Sequence, residues 1–334
     1  MGQEIYPYLG VMGRPAAIGV ISDLRAIVII TLVLFLSTSL ALSQEEAQKE
    51  TQVIGQIFDS PVPAGNYYFI KSTLMVFGNK WGAQPKNAEE LEDDIWEQLV
   101  LSFAAFRRNI AVSQEERQQE IAKILNSEKV NFDWKKNKEA YSKWVKEKTG
   151  EYPELFENQI AHLLQLQKLR DQIRDSITPS VSDEEARQAF LAEQNSIELE
   201  LVQFDEEPVA KDFYEKARQN PNSWDEEKNK NPGNFKRPGF VTLIFLMDFW
   251  KIPKDDLYKM MKLKTGKVYP PAALYKGFGV FKVLNTRPSD ESNYEKMRYS
   301  YQDKVVAMKK YEGLNEWIKK LKQDANIKIY RKGG

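Results

Sequence analysis

The chain has 334 residues, room for two or three domains, and its 42% hydrophobic and 29% charged residues are typical of a folded protein. Lys plus Arg and Asp plus Glu each number 48, so no basic excess favours binding to nucleic acid. Cysteine is absent, which excludes disulfides and thiolate nucleophiles, and one histidine, His162, excludes a multi-histidine metal site. No glycine-rich phosphate loop is present, so we expect no cofactor and no metal.

The N-terminus holds the one long apolar run, the seventeen uncharged residues from Ala26 to Leu42. A spanning helix needs roughly 20 residues, and Ala41 and Ser43 are small residues suited to cleavage before Gln44. Residues 1–43 are therefore predicted to be either a cleaved signal peptide or an uncleaved membrane anchor, with Met12 as an alternative start. Both interpretations predict an exported protein.

Residues 71–194 have mainly helical patterns, after a mixed stretch with β-rich pieces and a break at Pro61–Pro63. Ile95, Leu99, Phe103 and Phe106 recur at helical spacing and predict one apolar stripe. Ser113 and Ser182 each precede a glutamate by three residues, which predicts two capping boxes. A long helix is predicted to stop before Pro179.

From residue 197 the pattern changes to a small α+β domain. Residues 197–204 alternate as in a half-buried strand, 208–220 and 255–263 read as helices, and 279–284 as a last strand, with a polar stretch running to Arg237. A helix of about thirty residues follows Pro288, and residues 326–330 read as a closing strand. Because so long a helix needs a partner surface, we expect it to return to the helices before residue 194.

Ordered motifs over roughly residues 50–330 resemble the SurA/PpiD/PrsA group of bacterial extracytoplasmic foldases. Residues 99–116 (LVLSFAAFRRNIAVSQEE) and 181–190 (VSDEEARQAF) resemble the helices and turns of that group's chaperone domain. Residues 263–271 (LKTGKVYPP) and 277–283 (GFGVFKV) resemble segments of a parvulin-type prolyl isomerase domain.

The resemblance implies a mainly α fold with a small α+β domain, in which a split helical chaperone domain carries an inserted parvulin-like (PpiC-type) domain. The implied boundaries are 44–195 for the helical domain, 196–288 for the parvulin-like domain and 289–334 for the returning helix and strand.

A parvulin uses an apolar proline pocket and two facing histidines, one on the first strand and one on the last. Here the first strand has no histidine, and Gly279 stands where the second histidine would fall. The pocket positions fall near Ile252 and Asp256, or Leu257 if the register slips by one, and an ionised Asp would spoil an apolar pocket. We therefore predict no catalytic residues and a parvulin-like domain that has lost catalysis.

The favoured hypothesis is an ATP-independent chaperone of the bacterial periplasm or cell envelope that binds unfolded or nascent exported polypeptides. Its only membrane contact would be the N-terminal segment, if that stays uncleaved. An active isomerase with an atypical site and a dedicated assembly scaffold are the alternatives. Most aromatic side chains are expected in the core, and eight are candidates for a client-binding groove: Tyr67, Tyr68, Trp81, Trp134, Tyr141, Trp144, Phe249 and Trp250.

Overall fold

The computed structural model describes residues 52–81 and 85–330. The predicted N-terminal segment, including its apolar run and the cleavage position before Gln44, lies outside these ranges. Within them, no helix combines the length and apolar character needed to cross a membrane.

Helices dominate the described residues, and the structure is mainly α with two small antiparallel sheets, as the sequence predicts. The helices are α1 (Ala64–Trp81), α2 (Ala88–Arg107), α3 (Gln114–Ser127), α4 (Lys138–Thr149), α5 (Pro153–Ser176), α6 (Asp183–Gln194), α7 (Glu207–Gln219), α8 (Asn222–Lys230), α9 (Leu243–Phe249), α10 (Lys254–Met261) and α11 (Ser292–Asp324).

Eight strands form the two sheets within the described residues. The small sheet has the order β2-β1-β8, and the larger sheet has the order β4-β3-β7-β6, with β5 also pairing with β3. The strands are β1 (Val53–Ile57), β2 (Ser60–Pro63), β3 (Ser196–Phe204), β4 (Phe235–Lys236), β5 (Phe240–Thr242), β6 (Val268–Ala273), β7 (Phe278–Arg287) and β8 (Lys328–Ile329).

Both predicted capping boxes are confirmed. The Ser113 hydroxyl accepts a hydrogen bond from the backbone N–H of Glu116 at 3.1 Å, and the Glu116 carboxylate accepts one from the backbone N–H of Ser113 at 2.7 Å. Ser182 and Glu185 repeat the arrangement at the start of α6. Each box satisfies backbone donors that have no partner inside the helix.

The helices from α1 to α5 share an apolar core. The predicted stripe on α2 is confirmed at its start, where Ile95 and Leu99 are buried, whereas Phe106 near the helix end is partly exposed. Phe77 of α1 stacks on Phe156 of α5 with ring centroids 5.5 Å apart. The apolar spacing that predicts the helices therefore also determines which of their faces meet.

The larger sheet is covered on both faces because β3 and β7, which pair along their whole lengths, carry apolar residues on both sides. Leu199 and Leu201 pack with α9 and α10 on one face. Val202 and Val280 pack with α7 and α8 on the other, around Trp224.

Helix α11 returns to the earlier helices, as predicted. Its first half packs on α6, where Phe190 contacts Tyr294 and Tyr301 with ring centroids 5.5 and 5.3 Å apart. Its second half packs on α2 and α5 through Trp317 and Leu321. The chain then pairs β8 with β1, so the two ends of the described chain meet in the small sheet.

Asn195 lies where the chain passes from α6 into β3, close to where β7 leads back towards α11. Its side-chain oxygen accepts a hydrogen bond from the backbone N–H of Ser289 at 2.7 Å, and its carbonyl accepts one from Leu243 at 3.2 Å. This buried residue therefore ties both passages of the chain to the start of α9.

Three segments correct the sequence expectations. The polar stretch before Arg237 contains α8 because Trp224 is fully buried and holds that helix on the sheet. The aromatic stretch from residue 243 forms the additional helix α9. The predicted break at Pro61–Pro63 is β2, an edge strand, where a proline without an N–H leaves the sheet intact.

Candidate functional site

The strand face on which an isomerase would hold its histidines is filled by apolar side chains. Gly279 lies opposite Gln203 in the register of β3 and β7. A Cβ atom placed on Gly279 would lie 2.5 Å from Leu201 Cδ1, 2.8 Å from Phe281 Cζ and 3.1 Å from Leu274 Cδ1. These distances are shorter than van der Waals contact, so the ends of these three side chains would have to move before a histidine could stand at this position.

The predicted pocket positions are part of the same packed cluster. Ile252 and Leu257 are buried in it. Asp256, by contrast, does not enter the core: its carboxylate accepts a hydrogen bond from the Tyr269 hydroxyl at 2.8 Å. Burial, followed by this hydrogen bond, raises the pKa of Tyr269 above its usual value. Of the two registers that the sequence allows, the structure has the one with Leu257 in the apolar cluster, and Asp256 lies outside it.

Glu200 is the most buried carboxylate of β3, and its hydrogen-bond partners show a structural role. It accepts hydrogen bonds from Trp224 Nε1 at 2.6 Å and from the Lys228 ammonium group. Burial alone would raise its pKa, but these hydrogen bonds outweigh burial and hold the pKa of Glu200 below its usual value. Glu200 therefore fastens α8 to the sheet on the face opposite Gly279.

The structure separates the eight candidate aromatic residues by burial. Tyr67 and Tyr141 are core residues, so these two are corrected: Tyr67 donates a hydrogen bond to Glu92 inside the helical core, and Tyr141 packs against Trp134. Trp134 and Trp144 are half-buried against the same helices. The side chain of Trp81 lies outside what the structure describes. Exposed apolar area remains at Tyr68 and Phe249, and Trp250 is half-buried.

Phe249 belongs to an exposed cluster that we call the loop patch, formed by Phe245, Phe249, Trp250 and Tyr275. The rings of Phe245 and Phe249 stack with centroids 4.7 Å apart, and 70% of Phe249 is exposed. The backbone N–H of Tyr275 donates to the Trp250 carbonyl at 3.2 Å, which joins the loop after α9 to the turn between β6 and β7. Tyr275, 84% exposed, had no distinguishing signal in the sequence.

Tyr68 belongs to a second exposed cluster, which we call the helical patch, with Met75 of α1 and Tyr152 at the start of α5. The exposed fractions are 52%, 67% and 70% respectively. Ser72 lies between Tyr68 and Met75 on the same face of α1 and donates a hydrogen bond to Glu151 at 2.5 Å, which places the residue before Tyr152 beside that face. The seven-residue spacing of Tyr68 and Met75 was the signal that could have identified Met75.

His162 lies on α5, away from both sheet strands, as the sequence predicts. Its ring meets Phe69 of α1 edge-on, with centroids 5.5 Å apart, and its Nε2 is buried without a hydrogen-bond partner. Burial, and to a smaller extent the charge of Arg170, lowers the pKa of His162 to about 4. His162 is therefore neutral at pH 7 and has no place in chemistry at the sheet.

No family model and no curated protein match the chain. Solved structures similar to it include one from work on PEB4 and Cj1289, two SurA-like chaperones of Campylobacter jejuni, at 15% identity, covering 84% of this chain and 99% of that one, with a TM-score of 0.38. The peptidylprolyl isomerase PrsA of Bacillus anthracis is 19% identical over 70% of this chain and 96% of its own, with a TM-score of 0.37. PrsA of Bacillus cereus is 16% identical over 85% and 95%, with a TM-score of 0.31. SurA-like chaperones and PrsA are members of the group that the sequence motifs resemble.

Proposed function

We propose that this protein is an ATP-independent chaperone of the SurA/PpiD/PrsA type that binds unfolded exported polypeptides. The observation that carries the proposal is the exposure of aromatic and methionine side chains in the helical patch and the loop patch. Such side chains adapt to many apolar segments, and covering those segments slows aggregation of a client chain. Binding of this kind requires neither a nucleotide nor a catalytic group.

The loss of prolyl isomerase activity is part of the proposal. Rotation about a prolyl bond has a barrier of about 18–20 kcal/mol. An enzyme that lowers this barrier requires a pocket that receives the proline ring. The face around Gly279 supports the loss of activity because Leu201, Phe281 and Leu274 fill the volume where that pocket would lie. The domain of residues 196–288 then serves as a binding platform that presents the loop patch.

The domain boundaries at 195/196 and 288/289 and the location outside the cytoplasm belong to the same proposal. Hydrogen bonding at Asn195, which ties the two passages of the chain together, supports an insertion at these points. A cleaved leader would release the chain, whereas an uncleaved one would be its sole membrane contact. Cell fractionation with N-terminal sequencing of the recovered protein tests both.

Client binding is tested by light scattering of an aggregating unfolded protein in the presence of the full chain. We expect Tyr68→Ser with Met75→Ser, or Phe249→Ser with Tyr275→Ser, to weaken client binding about tenfold, equivalent to about 1.4 kcal/mol. Melting temperatures should stay unchanged because the four side chains are exposed.

The matched control is Tyr299→Ser, since Tyr299 is exposed on α11 outside both patches. If all variants bind the client as well as the natural chain does, neither patch is a client-binding site. A chain that ignores unfolded proteins and binds one native partner would support the assembly scaffold instead.

Catalysis is tested by NMR measurement of cis–trans exchange in a short X-Pro peptide. We expect the uncatalysed rate at any concentration of the protein. Faster exchange that is abolished by a mutation within residues 196–288 would contradict the loss of catalysis and support the atypical isomerase.

A further inference from the structure

The contact between α1 and α5 contains a polar layer inside an otherwise apolar core. Gln159 of α5 is fully buried and donates from Nε2 to the Ser72 hydroxyl of α1 at 3.0 Å. Thr73 is also fully buried, and its hydroxyl donates to the carbonyl of Phe69 in its own helix at 2.8 Å. His162 follows Gln159 by one turn and places its ring against Phe69.

Two polar atoms of this layer are buried without partners, Gln159 Oε1 and His162 Nε2. Because neither has a partner, they do not bond to each other. A buried polar atom that loses water and gains no hydrogen bond weakens the fold, and a charged group in the same place weakens it far more. The buried Nε2 side of the ring therefore favours a neutral imidazole over an imidazolium.

The charged groups around His162 do not compensate an added proton. Arg170 lies two turns along α5, and its positive charge lowers the pKa of His162 further. Glu97 of α2 and Tyr311 of α11 act on Arg170. On the α1 side, His162 contacts the uncharged ring of Phe69, while the Ser72 hydroxyl is engaged with Gln159 and with the carboxylate of Glu151.

The charged residues at the contact of α3 with α5 pair with each other and not with His162. Glu157 of α5 lies 4.0 Å from Arg117 of α3, and Lys168 of α5 lies 2.7 Å from Glu116 at the start of α3. Tyr141 of α4, near Glu157, is neutral. No carboxylate among the described residues pairs with His162.

We propose that His162 makes the α1–α5 contact acid-sensitive, so that protonation of its ring loosens α1 from α5. The client-binding consequence rests on the proposed function. Helix α1 carries part of the helical patch on its outer face and buries Phe77 against Phe156 of α5 on its inner face. Loosening it adds apolar surface at the place where clients are proposed to bind.

The pH window follows from the two states of the histidine. In the closed state its pKa is about 4, and in an opened, solvated state it returns to 6.5. The open state binds the proton more tightly, so opening is favoured as the pH falls from 6.5 towards 4. Between pH 7 and pH 5 the opening equilibrium of α1 rises about 20-fold.

The test is hydrogen exchange of the α1 amides in the full chain, corrected for the intrinsic effect of pH. We expect their protection to fall about 20-fold from pH 7 to pH 5, and the single histidine signal in the NMR spectrum to titrate well below pH 6. His162→Gln and His162→Phe should abolish the fall. Gln159→Leu, which keeps the histidine, should retain it.

Unchanged protection in the natural chain, or an equal fall in the histidine variants, would overturn the acid-sensitive contact. A histidine that titrates at its ordinary pKa would do the same. Aggregation assays at pH 7 test the proposed function separately. If α1 loosens in acid but the protein binds no clients, the acid-sensitive contact is supported and the chaperone function is contradicted.

Discussion

Among single residues, Gly279 and the atoms around it determine whether this face of the sheet has an open pocket. The sequence shows only that a glycine replaces an expected histidine, which is compatible with an open pocket. The structure adds the neighbouring atoms, and they belong to Leu201, Phe281 and Leu274. What closes the face is therefore the size of residues drawn from two strands and a turn, and this set has no signature in the order of residues along the chain.

Gly279→Ala tests this packing with the smallest change available. Because the added methyl group overlaps three side chains, we expect a loss of about 1–3 kcal/mol in the free energy of unfolding, measured by urea denaturation. Gly233→Ala is the control, since a Cβ there meets open space, and it should leave stability nearly unchanged. Equal stability of both variants would mean that the face is open after all.

At the scale of the elements, helix α6 connects several parts of the fold. It packs on α11 and α9, and its last residues lead directly into β3. Ion pairs reinforce the contact with α11: Asp183 with Arg298 at 2.6 Å and Glu185 with Lys309 at 2.5 Å. Hydrogen bonds from Lys309 and Ser182 lower the pKa of Glu185 to about 2, so its charge persists in mild acid.

Ser182→Ala removes the cap of this helix. We expect a loss of about 1 kcal/mol in the free energy of unfolding, because the first turn loses its side-chain acceptor. Ser180→Ala is the matched control, since Ser180 is exposed and contributes its backbone carbonyl, not its side chain, to Lys309. Thermal denaturation of the two variants side by side measures the difference, and equal losses would assign no stabilising role to the cap.

Caps and long amphipathic helices could be predicted because their signals are local. Ser182 with Glu185 identifies a helix start within four residues, and the stripe on α5 repeats for many turns. Helix α8 was missed because one tryptophan, Trp224, supplies nearly all of its burial. The two exposed patches were found only in part, since Tyr152 and Tyr275 join them through tertiary contacts.

In the molecule as a whole, the first and last described strands are not independent, because β1 pairs with β8. The backbone N–H of Tyr330 donates to the Ile54 carbonyl at 2.9 Å, and the N–H of Phe58 donates to the Ala325 carbonyl at 2.7 Å. Ile327 packs against the core that contains Ile54 and Trp96. The helical core is thus completed by residues from the far end of the chain.

Removal of residues 326–334 should therefore destabilise the core around α1 and α2. We expect the loss to exceed about 2 kcal/mol, because an apolar side chain and several backbone hydrogen bonds disappear together. Urea denaturation of the truncated and natural chains side by side measures the loss. A shorter truncation, of residues 331–334 alone, is the control, and matching losses from the two truncations would show that β8 contributes nothing.

The pairing of β1 with β8 also fixes the order of events while the chain is made. Gly55 is synthesised long before its partner Ile329, so the small sheet cannot be completed until residue 329 has been made. Pairing between such distant segments is slow because a long loop has to be ordered first. During that interval the helices from α1 to α5 present an unfinished apolar core. A newly made copy thus exposes apolar surface of the same kind as the clients proposed for it.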